Sequence, residues 1–398
     1  MRVPRSVEPG ATRALALATL SITLGAVPVF LLGALAVFIR DELGFSEALL
    51  GLLASAYYAS STLTSVPGGR LTERVGGRKG IATGAALTAM SMFGIATLGR
   101  SWAALLFFMI VAGAANGFAM PASNLVVARD VPLRRQGVAF GLKQSSGPLA
   151  TLVAGTSVPV IGLTVGWRWA FVIVGAVAVP MMLSGRGARL AAPPLRRVRG
   201  DVATAALVVL AAGAALAVVG GSSIAAFYVE SVVAAGISPA VAGTLLAVGS
   251  VAGIAGRVGW GWVGGRWHAG HFPLLTALAG VGAIGYLLLG HAPSLGPIAI
   301  ATIVVFTTGW GWPGLFNFAV VVRSAAAPAV ATGIVATGMY AGGIAGPFLF
   351  GLLVEQGGYS LAWSFVAVMS AASALLLFRG GRKLESRNEP GVVPAEAD

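Results

Sequence analysis

The sequence predicts an all-α membrane protein with twelve transmembrane helices in two pseudo-symmetric halves of six helices each. Three observations support this fold class: an apolar composition, a division of the chain into apolar stretches of bilayer length, and a repeat at roughly half the chain length. Of the 398 residues, 57% are hydrophobic and 10% are charged, and the mean hydropathy is +0.88. Soluble domains carry about 25% charged residues, so this composition excludes a soluble globule.

Apolar stretches that could cross a bilayer follow one another along the chain. A transmembrane helix needs about 20 apolar residues, and Gly, Pro and Arg separate twelve such stretches, which we number span 1 to span 12. Their predicted limits are 14–38, 47–68, 79–99, 102–128, 136–160, 167–184, 202–228, 240–264, 272–290, 297–322, 330–354 and 360–378. The first stretch is too long for the apolar region of a signal peptide, so we expect it to be retained.

The basic residues predict the orientation, because Lys and Arg near helix ends accumulate on the cytoplasmic side of a membrane. With both termini in the cytoplasm, 21 of the 26 Lys and Arg residues fall in cytoplasmic segments, and the other five are Arg40, Arg100, Lys143, Arg168 and Arg257. The net charge of +13 therefore indicates membrane orientation and not nucleic-acid binding. The absence of Cys excludes disulfides and Cys-ligated metals.

An internal repeat divides the chain into two halves. Gly69 to Arg74 aligns with Gly261 to Arg266 at an offset of 192 residues, and Gly147-Pro148 aligns with Gly346-Pro347 at an offset of 199. The predicted organisation is an N-terminal six-helix half (1–185), a basic cytoplasmic linker (186–201), a C-terminal six-helix half (202–380) and a polar cytoplasmic tail (381–398).

A short charged segment separates spans 2 and 3. Residues 69–79 read Gly-Arg-Leu-Thr-Glu-Arg-Val-Gly-Gly-Arg-Lys and hold four cations and one carboxylate. This order resembles the signature loop of the major facilitator superfamily, between transmembrane helices 2 and 3. The resemblance implies that superfamily's fold, a central cavity between the halves, and a loop that clamps the halves together in the outward-open state. The implied gating residues are Gly69, Glu73, Arg74, Gly76, Arg78 and, in the second half, Arg266. The alternative is that these charges only set the topology.

Two cations lie inside predicted spans, where each costs about 2.5–3.5 kcal/mol on insertion scales. Lys143 lies seven residues past Gln136, or about 10 Å into span 5, and Arg257 lies nine residues before Arg266, or about 13 Å into span 8, at 1.5 Å per residue. The superfamily resemblance implies that spans 5 and 8 meet across the cavity, so these two cations could bracket one anion. Two alternatives are snorkelling to the interface and structural bonds to helix carbonyls.

Two finer resemblances concern the substrate. In span 8, Arg257 followed by Gly261 and Trp262 is similar to the arginine segment of monocarboxylate porters, which implies carboxylate binding by Arg257. The aspartate of those porters is replaced by Gly253, which puts carboxylate-linked proton coupling at that site in doubt. Spans 4, 5 and 10 resemble the bacterial cyanate and nitroimidazole porters.

Other polar and aromatic residues fall near mid-depth in spans that line the cavity in the superfamily fold. Aromatic side chains can shape an apolar pocket and offer one donor. The further candidate substrate-binding residues are Tyr57, Tyr58, Asn116, Gln144, Trp310, Trp312 and Tyr340. Asn124, Asn317 and Thr151 rank lower, because small polar residues commonly join membrane helices.

No acidic residue lies in the middle of a predicted span, and the three His residues lie in loops. We therefore expect facilitated diffusion, anion exchange, or symport in which the substrate helps to carry the proton. Glu230, at the outer end of span 7, is the one protein carrier that the sequence offers. The arginine that drug/proton antiporters of the superfamily carry in helix 4 is absent from residues 107–117.

The predicted function is a secondary or facilitative transporter of a small organic anion, for which we expect a carboxylate, working by alternating access. The bias toward Ala, Gly and Arg suggests a bacterial genome, so we expect the protein in the lipid bilayer of a bacterial cytoplasmic membrane. We also expect it to be a monomer. One alternative is a drug or metabolite exporter with an apolar cavity, and another is a sensor or scaffold that does not transport. We expect no cofactor and no metal, and the spans contain no acidic pair or Ser-His pairing that would indicate an enzyme.

Overall fold

The computed structural model describes residues 9–132, 143–185, 203–264, 270–324 and 327–386. Within these ranges the regular structure is entirely helical, which confirms the predicted fold class. Four predicted segments lie wholly or partly outside the described residues: the start of span 5 (136–142), the linker 186–201, Arg266 with its neighbours in the second-half loop, and the tail beyond residue 386. The division into the four predicted domains stays a prediction.

The N-terminal half contains spans 1 to 6. Its helices are Pro9–Ala34 and Ala36–Leu43 (span 1), Glu47–Val75 (span 2), Gly77–Leu98 (span 3), Trp102–Asp130 (span 4), Ser146–Ser157 with a π turn Val158–Gly162 (span 5), and Arg168–Met182 with a 3₁₀ turn Leu183–Gly185 (span 6). Span 1 is thus longer than predicted, because a second short helix carries it to Leu43.

The C-terminal half contains spans 7 to 12. Its helices are Thr204–Ala234 (span 7), Pro239–Gly264 (span 8), His271–His291 (span 9), Leu295–Val304, a π turn Val305–Gly309 and Pro313–Arg323 (span 10), and Pro328–Ser386 (spans 11 and 12). The last segment bends at Gly357 and Gly358, whose backbone is not helical. Gly358 has φ +74°, a left-handed conformation that favours glycine, so the predicted division between spans 11 and 12 is confirmed.

In the described residues, nine helices are long and apolar enough to cross a membrane. One of them, Val330–Glu385, contains both span 11 and span 12. The described helix of span 5 is apolar but short, and span 2 is 29 residues long but rich in Ser, Thr and charged residues. The nine helices and these two segments together correspond to the twelve predicted spans.

We call the end of the bundle that holds residues 69–79 the basic end and the other end the opposite end. One hydrophobic core joins the two halves near the opposite end, where Leu35 and Leu53 share it with Ile224 and Phe350. Toward the basic end the C-terminal half has a separate core, which contains Leu210, Phe272, Leu275, Phe316 and Leu377. The halves are therefore packed together mainly at the opposite end.

Small residues allow this close packing between the halves. A Cβ placed on Gly33 in span 1 would lie 2.0 Å from the carbonyl oxygen of Ala225 in span 7. A Cβ on Gly51 in span 2 would lie 2.2 Å from the carbonyl oxygen of Pro347 in span 11. Both distances are too short for any side chain, so these helices touch backbone to backbone.

Candidate functional site

Arg257 lies between the two halves and reaches from span 8 across to span 5. Its Nη1 donates to the backbone carbonyl of Gln144 in the N-terminal half, and its Nη2 donates to the backbone carbonyl of Trp310, in the C-terminal half, at 3.2 Å. The guanidinium also lies over the Trp310 ring, 5.1 Å from its centroid. One arginine thus contacts both halves.

Proline chemistry explains why the Gln144 carbonyl is available. In a helix this oxygen would accept from the backbone N–H four residues later, but that residue is Pro148, which has no N–H. The Trp310 carbonyl lies in the turn between the π turn Val305–Gly309 and the helix that begins at Pro313. Arg257 therefore binds two carbonyls that lie at interruptions of helices. Backbone groups that are freed at such interruptions need hydrogen-bond partners inside a membrane protein, and Arg257 is the partner here.

The contacts found for Arg257 are with neutral groups. No carboxylate in the described part of the chain lies within ion-pairing distance of its guanidinium. Its Nε–H is buried and has no hydrogen-bond acceptor in that part. Arg257 is half-buried, and a cation that is partly removed from water without a counter-charge is costly. The unused donor leaves the guanidinium able to bind an additional acceptor.

Lys143 lies one residue before the carbonyl that Arg257 binds. It is 4% exposed, and its Nζ donates to the amide oxygen of Asn124 in span 4. Arg257, from the C-terminal half, thus reaches the backbone next to Lys143 of the N-terminal half. That the two cations bind one anion stays a prediction. Gln144 contributes its backbone carbonyl to this group.

The Trp310 ring beside the guanidinium packs against aromatic residues of both halves. Trp310 contacts Phe30 of span 1 at 5.7 Å between ring centroids and Phe306 of its own span at 5.5 Å. A Cβ on Gly221 in span 7 would lie 2.5 Å from the Trp310 ring. Trp310 is thus wedged between spans 1 and 7, beside Arg257.

The other candidate residues divide into two groups. Tyr58 and Tyr340 lie where the halves meet, since Tyr58 faces Gly343 of span 11 and Tyr340 lies beside Ser65 of span 2. The remaining candidates make packing or helix-joining contacts in this conformation. Tyr57 donates to the Gly25 carbonyl at 2.6 Å, Asn116 donates to Ser61 at 2.9 Å, and Trp312 is 2% exposed against Phe316. Their contact with substrate stays a prediction.

The predicted gating residues lie at the basic end. Gly69 is part of the helix of span 2, and Gly76, with φ +98°, forms the turn into span 3. Glu73 and Arg74 are exposed, and Arg78 pairs with Asp130 of the same half at 3.3 Å. Glu73 forms no ion pair with another described residue. Within the described part of the chain it therefore does not hold the two halves together, as the clamp implied by the resemblance would.

At the opposite end, an ion pair joins the halves. Arg40, in the second helix of span 1, pairs with Glu230 of span 7 at 2.9 Å, and Tyr359 of span 12 donates to Glu230 at 3.2 Å. A second connection runs from the backbone N–H of Ala48 to Glu355 at 2.9 Å. The sequence identified Glu230 but missed its partner Arg40.

Asn124 is the site residue that sequence reasoning ranked too low. It lies six residues before the end of span 4 at Asp130, or about 9 Å deep at 1.5 Å per residue. Lys143 has nearly the same predicted depth on the next span. Matching polar residues by depth on consecutive spans would have found the pair.

No group of three or more His, Cys, Asp or Glu residues that could hold a metal ion occurs in the described residues. The functional groups of the site are therefore the two cations, the Asn124 amide and the aromatic rings.

Comparison with known proteins identifies the family. Residues 14–330 match the sequence pattern of the Major Facilitator Superfamily. The chain belongs to this superfamily. Its members are transporters and not enzymes, which confirms the predicted class of function.

Solved structures with the same fold cover nearly the whole chain. A bacterial homologue of the human lysosomal transporter Spinster, in an inward-facing and unoccupied conformation, matches with a TM-score of 0.74 at 18% identity, over 96% of this chain and 99% of its own. A D-xylose–proton symporter matches with a TM-score of 0.74 at 17% identity, over 92% and 96%. At these identities the likeness shows the fold alone.

Similarity to curated sequences is lower and mostly partial. A probable chloroplastic anion transporter of Arabidopsis thaliana is 28% identical over 35% of this chain and 28% of its own length. A probable sulfoacetate transporter of Cupriavidus necator is 28% identical over 35% of this chain and 33% of its own. An MFS-type transporter of Mycobacterium tuberculosis is 27% identical over 82% of this chain and 76% of its own. The alignments with the first two span about a third of those proteins.

The role of Pro148 gives a testable prediction. Pro148→Ala restores a backbone N–H that can bond the Gln144 carbonyl and compete with Arg257. We expect Pro148→Ala and Arg257→Lys to be coupled, so that their combined effect on the melting temperature is smaller than the sum of the two. Pro180→Ala in span 6 is the matched control and should be additive with Arg257→Lys. Additivity of Pro148→Ala would show that the carbonyl is not freed for Arg257.

Proposed function

We propose that this superfamily member moves a small organic anion, such as a carboxylate, by alternating access. The observation that carries the proposal is Arg257, a cation between the halves whose contacts in the described residues are two carbonyls and an aromatic ring. An anionic group would supply the missing counter-charge. Partial similarity to proteins named as anion and sulfoacetate transporters supports the same substrate class.

Arginine is suited to this role because its planar fork binds a carboxylate through two parallel hydrogen bonds. In the proposed complex the substrate takes the place of the Gln144 carbonyl and also approaches Lys143 as a point charge. Trp310 covers the guanidinium and shapes the apolar wall, together with Tyr58 and Tyr340. Tyr57, Asn116, Gln144 and Trp312 are kept as further proposed contacts, which would need side chains to move between conformations.

The same contacts would connect binding with movement. In the structure Arg257 links the halves through the Gln144 carbonyl, so an anion that captures Arg257 also removes this link. A ligand shifts a conformational equilibrium only by its different affinities for the two states. The proposed substrate has such a difference, because the Nη1 donor of Arg257 is available to it only when the bond to the Gln144 carbonyl is broken.

We place the basic end in the cytoplasm of a bacterium, on the distribution of Lys and Arg. The packing of the halves at the opposite end then makes the structure an inward-facing state. In this orientation the first-half loop, with Glu73, Arg74 and Arg78, would act as a clamp in the outward-open state, together with Arg266. We expect the protein to work as a monomer, with proton coupling as an additional possibility.

Substitution of the two cations tests the anion site. The ligand panel contains carboxylates, sulfonates, amines and neutral drugs, and the readout is the ligand-induced rise in melting temperature. Arg257→Lys keeps the charge but loses the fork, and should weaken binding of the best anion by roughly tenfold or more. Lys143→Ala should also weaken it, and the double variant should lose less than the sum if one anion binds both residues.

Arg168→Lys is the matched control, because Arg168 pairs with Glu42 at the opposite end and should not contact the substrate. Stabilisation by anions that is unchanged in both Arg257→Lys and Lys143→Ala would overturn the proposal. Stabilisation by neutral or cationic drugs alone would instead favour the exporter with an apolar cavity. A folded protein whose melting temperature no ligand raises, and which shows no conformational change, would favour the sensor or scaffold.

Glu73→Ala tests the clamp at the basic end. If Glu73 holds the halves together in the outward-open state, its loss should shift the population toward the inward-facing state and reduce the rate of transport severalfold. The amount of folded protein should be unchanged, because Glu73 is exposed. Asp130→Ala removes a charge that pairs with Arg78 within one half and serves as the comparison. A normal transport rate in Glu73→Ala would leave the loop as a signal of topology alone.

A further inference from the structure

The Arg40–Glu230 ion pair at the opposite end is held more firmly on the side of the N-terminal half. Arg40 makes three well-defined contacts: Nη2 to Glu47 at 2.8 Å, Nε to the Phe45 carbonyl at 2.9 Å, and Nη1 to Glu230 at 2.9 Å. The first two partners belong to the N-terminal half, as Arg40 does. Among these contacts only Glu230 comes from the C-terminal half, so Arg40 is fixed on one half and reaches the other through a single carboxylate.

Glu230 is buried on the other side of this contact. It is 5% exposed, and its second oxygen accepts a hydrogen bond from Tyr359 at 3.2 Å. Both donors require a carboxylate in its charged form for their full strength. A proton on Glu230 would turn the ion pair into a weaker hydrogen bond, while Arg40 would keep Glu47 as its counter-charge. Protonation therefore weakens the cross-half contact without leaving an unpaired cation.

A proton can reach this carboxylate from the opposite end. A cavity of about 590 Å³ borders Glu230 and is also lined by Arg40, Asp41, Glu47 and Tyr359. Asp41 is exposed, which places the cavity at the surface of the bundle. Three carboxylates and one guanidinium give the cavity a net negative charge, which raises the local concentration of protons.

The second connection at this end is weaker. Glu355 accepts from the Ala48 backbone N–H, but this carboxylate is exposed, so the bond competes with water. Among the described residues, the charged and titratable groups that face Glu230 are thus Arg40 and Asp41 in span 1, Glu47 in span 2 and Tyr359 in span 12, with Glu355 nearby in span 11. Of the carboxylates, Glu230 is the buried one that joins the two halves.

We propose that Glu230 is a proton-binding residue, and that its protonation releases Arg40 and opens the bundle at the opposite end. A hydronium ion in the cavity transfers its proton to a carboxylate oxygen of Glu230, so one O–H bond breaks, one forms, and a water molecule is left. The Arg40–Glu230 ion pair is lost, and no further covalent bond changes. This inference goes beyond the proposed anion transport, and its test requires no substrate.

The sign of the pH effect follows directly. At high pH Glu230 is charged and the contact with Arg40 holds the opposite end closed. As the pH falls through the titration of Glu230, the contact weakens and the open population rises. Because the arrangement binds a proton when it opens and releases it when it closes, it could couple a proton to each transport cycle.

Distance measurements between spin labels test the proposal in the full-length protein in lipid nanodiscs. The chain has no native Cys, so cysteines can be introduced alone at the exposed positions Ala103 and Ala235, at the opposite end of the two halves. The pair Ala103 and Val165, within one half, is the control for label and pH effects. Pulsed electron paramagnetic resonance then gives the distance distribution as a function of pH.

We expect the distance between the labels at 103 and 235 to lengthen as the pH falls, with one midpoint, and the distance between 103 and 165 to stay constant. Glu230→Gln should give the long distance at every pH and remove the midpoint. Glu42→Gln should keep the wild-type midpoint, because Glu42 pairs with Arg168 within one half. Distances independent of pH, or a wild-type midpoint in Glu230→Gln, would overturn the proposal.

Tyr359→Phe provides a milder variant that keeps the Arg40–Glu230 pair. Without the tyrosine donor the charged form of Glu230 is less stabilised, so the midpoint should move to higher pH. An unchanged midpoint, or one at lower pH, would count against Glu230 as the titrating group. This outcome can be read even if Glu230→Gln does not fold.

Discussion

A guanidinium inside a membrane protein must be solvated by the protein itself, and this constraint on Arg257 shapes the centre of the bundle. Water is absent from the hydrocarbon region, so each donor needs a partner from the chain. The structure supplies two backbone carbonyls, one from each half, at interruptions in spans 5 and 10. The aromatic face of Trp310 adds a third contact. This one side chain thus depends on the two helix interruptions, on Pro148 four residues after Gln144, and on the position of Trp310.

These partners occupy the two Nη groups of Arg257 but leave its Nε–H without an acceptor in the described residues and do not neutralise its charge. Carbonyl dipoles and an aromatic quadrupole are weaker partners than a carboxylate, which explains why the same site can hold the arginine without substrate and still favour an anion. A permanent carboxylate partner would stabilise Arg257 more but would compete with an anionic substrate. The pairing of Lys143 with the neutral Asn124 amide follows the same logic.

The ends of the bundle use a different kind of contact. At the opposite end, backbone packing at Gly33 and Gly51 and the Arg40–Glu230 pair hold the halves together. The charges found at the basic end pair within a half, as in Arg78 with Asp130 and Arg323 with Glu385. A two-state carrier needs contacts at each end that can be broken, and one buried ion pair can be broken by a single proton.

The sequence predicted most of the fold because bilayer thickness imposes a length on every span, and the structure follows the twelve predicted stretches. Glycine punctuation located the bend at Gly357 and Gly358, whereas the extension of span 1 to Leu43 was missed because Arg40 and Asp41 made that segment look like a loop. The depths of Lys143 and Arg257 were predicted from the helical rise and stay predictions, whereas the contact of Arg257 with the Gln144 carbonyl is observed. The Arg40–Glu230 pair, 190 residues apart, could not be predicted, since its partners meet only through the packing of spans 1 and 7. The free Gln144 carbonyl could have been predicted from Pro148, because proline lacks the backbone N–H that this oxygen would bind in a helix.

The central claim is that an anion binds Arg257 in place of the Gln144 carbonyl. The most direct measurement is an experimental structure with the organic anion that most raises the melting temperature. We predict ligand density between Arg257 and Lys143, with an acidic group within hydrogen-bond distance of the guanidinium and the Gln144 carbonyl released. Ligand density elsewhere in the bundle, with Arg257 still bound to both carbonyls, would contradict the account.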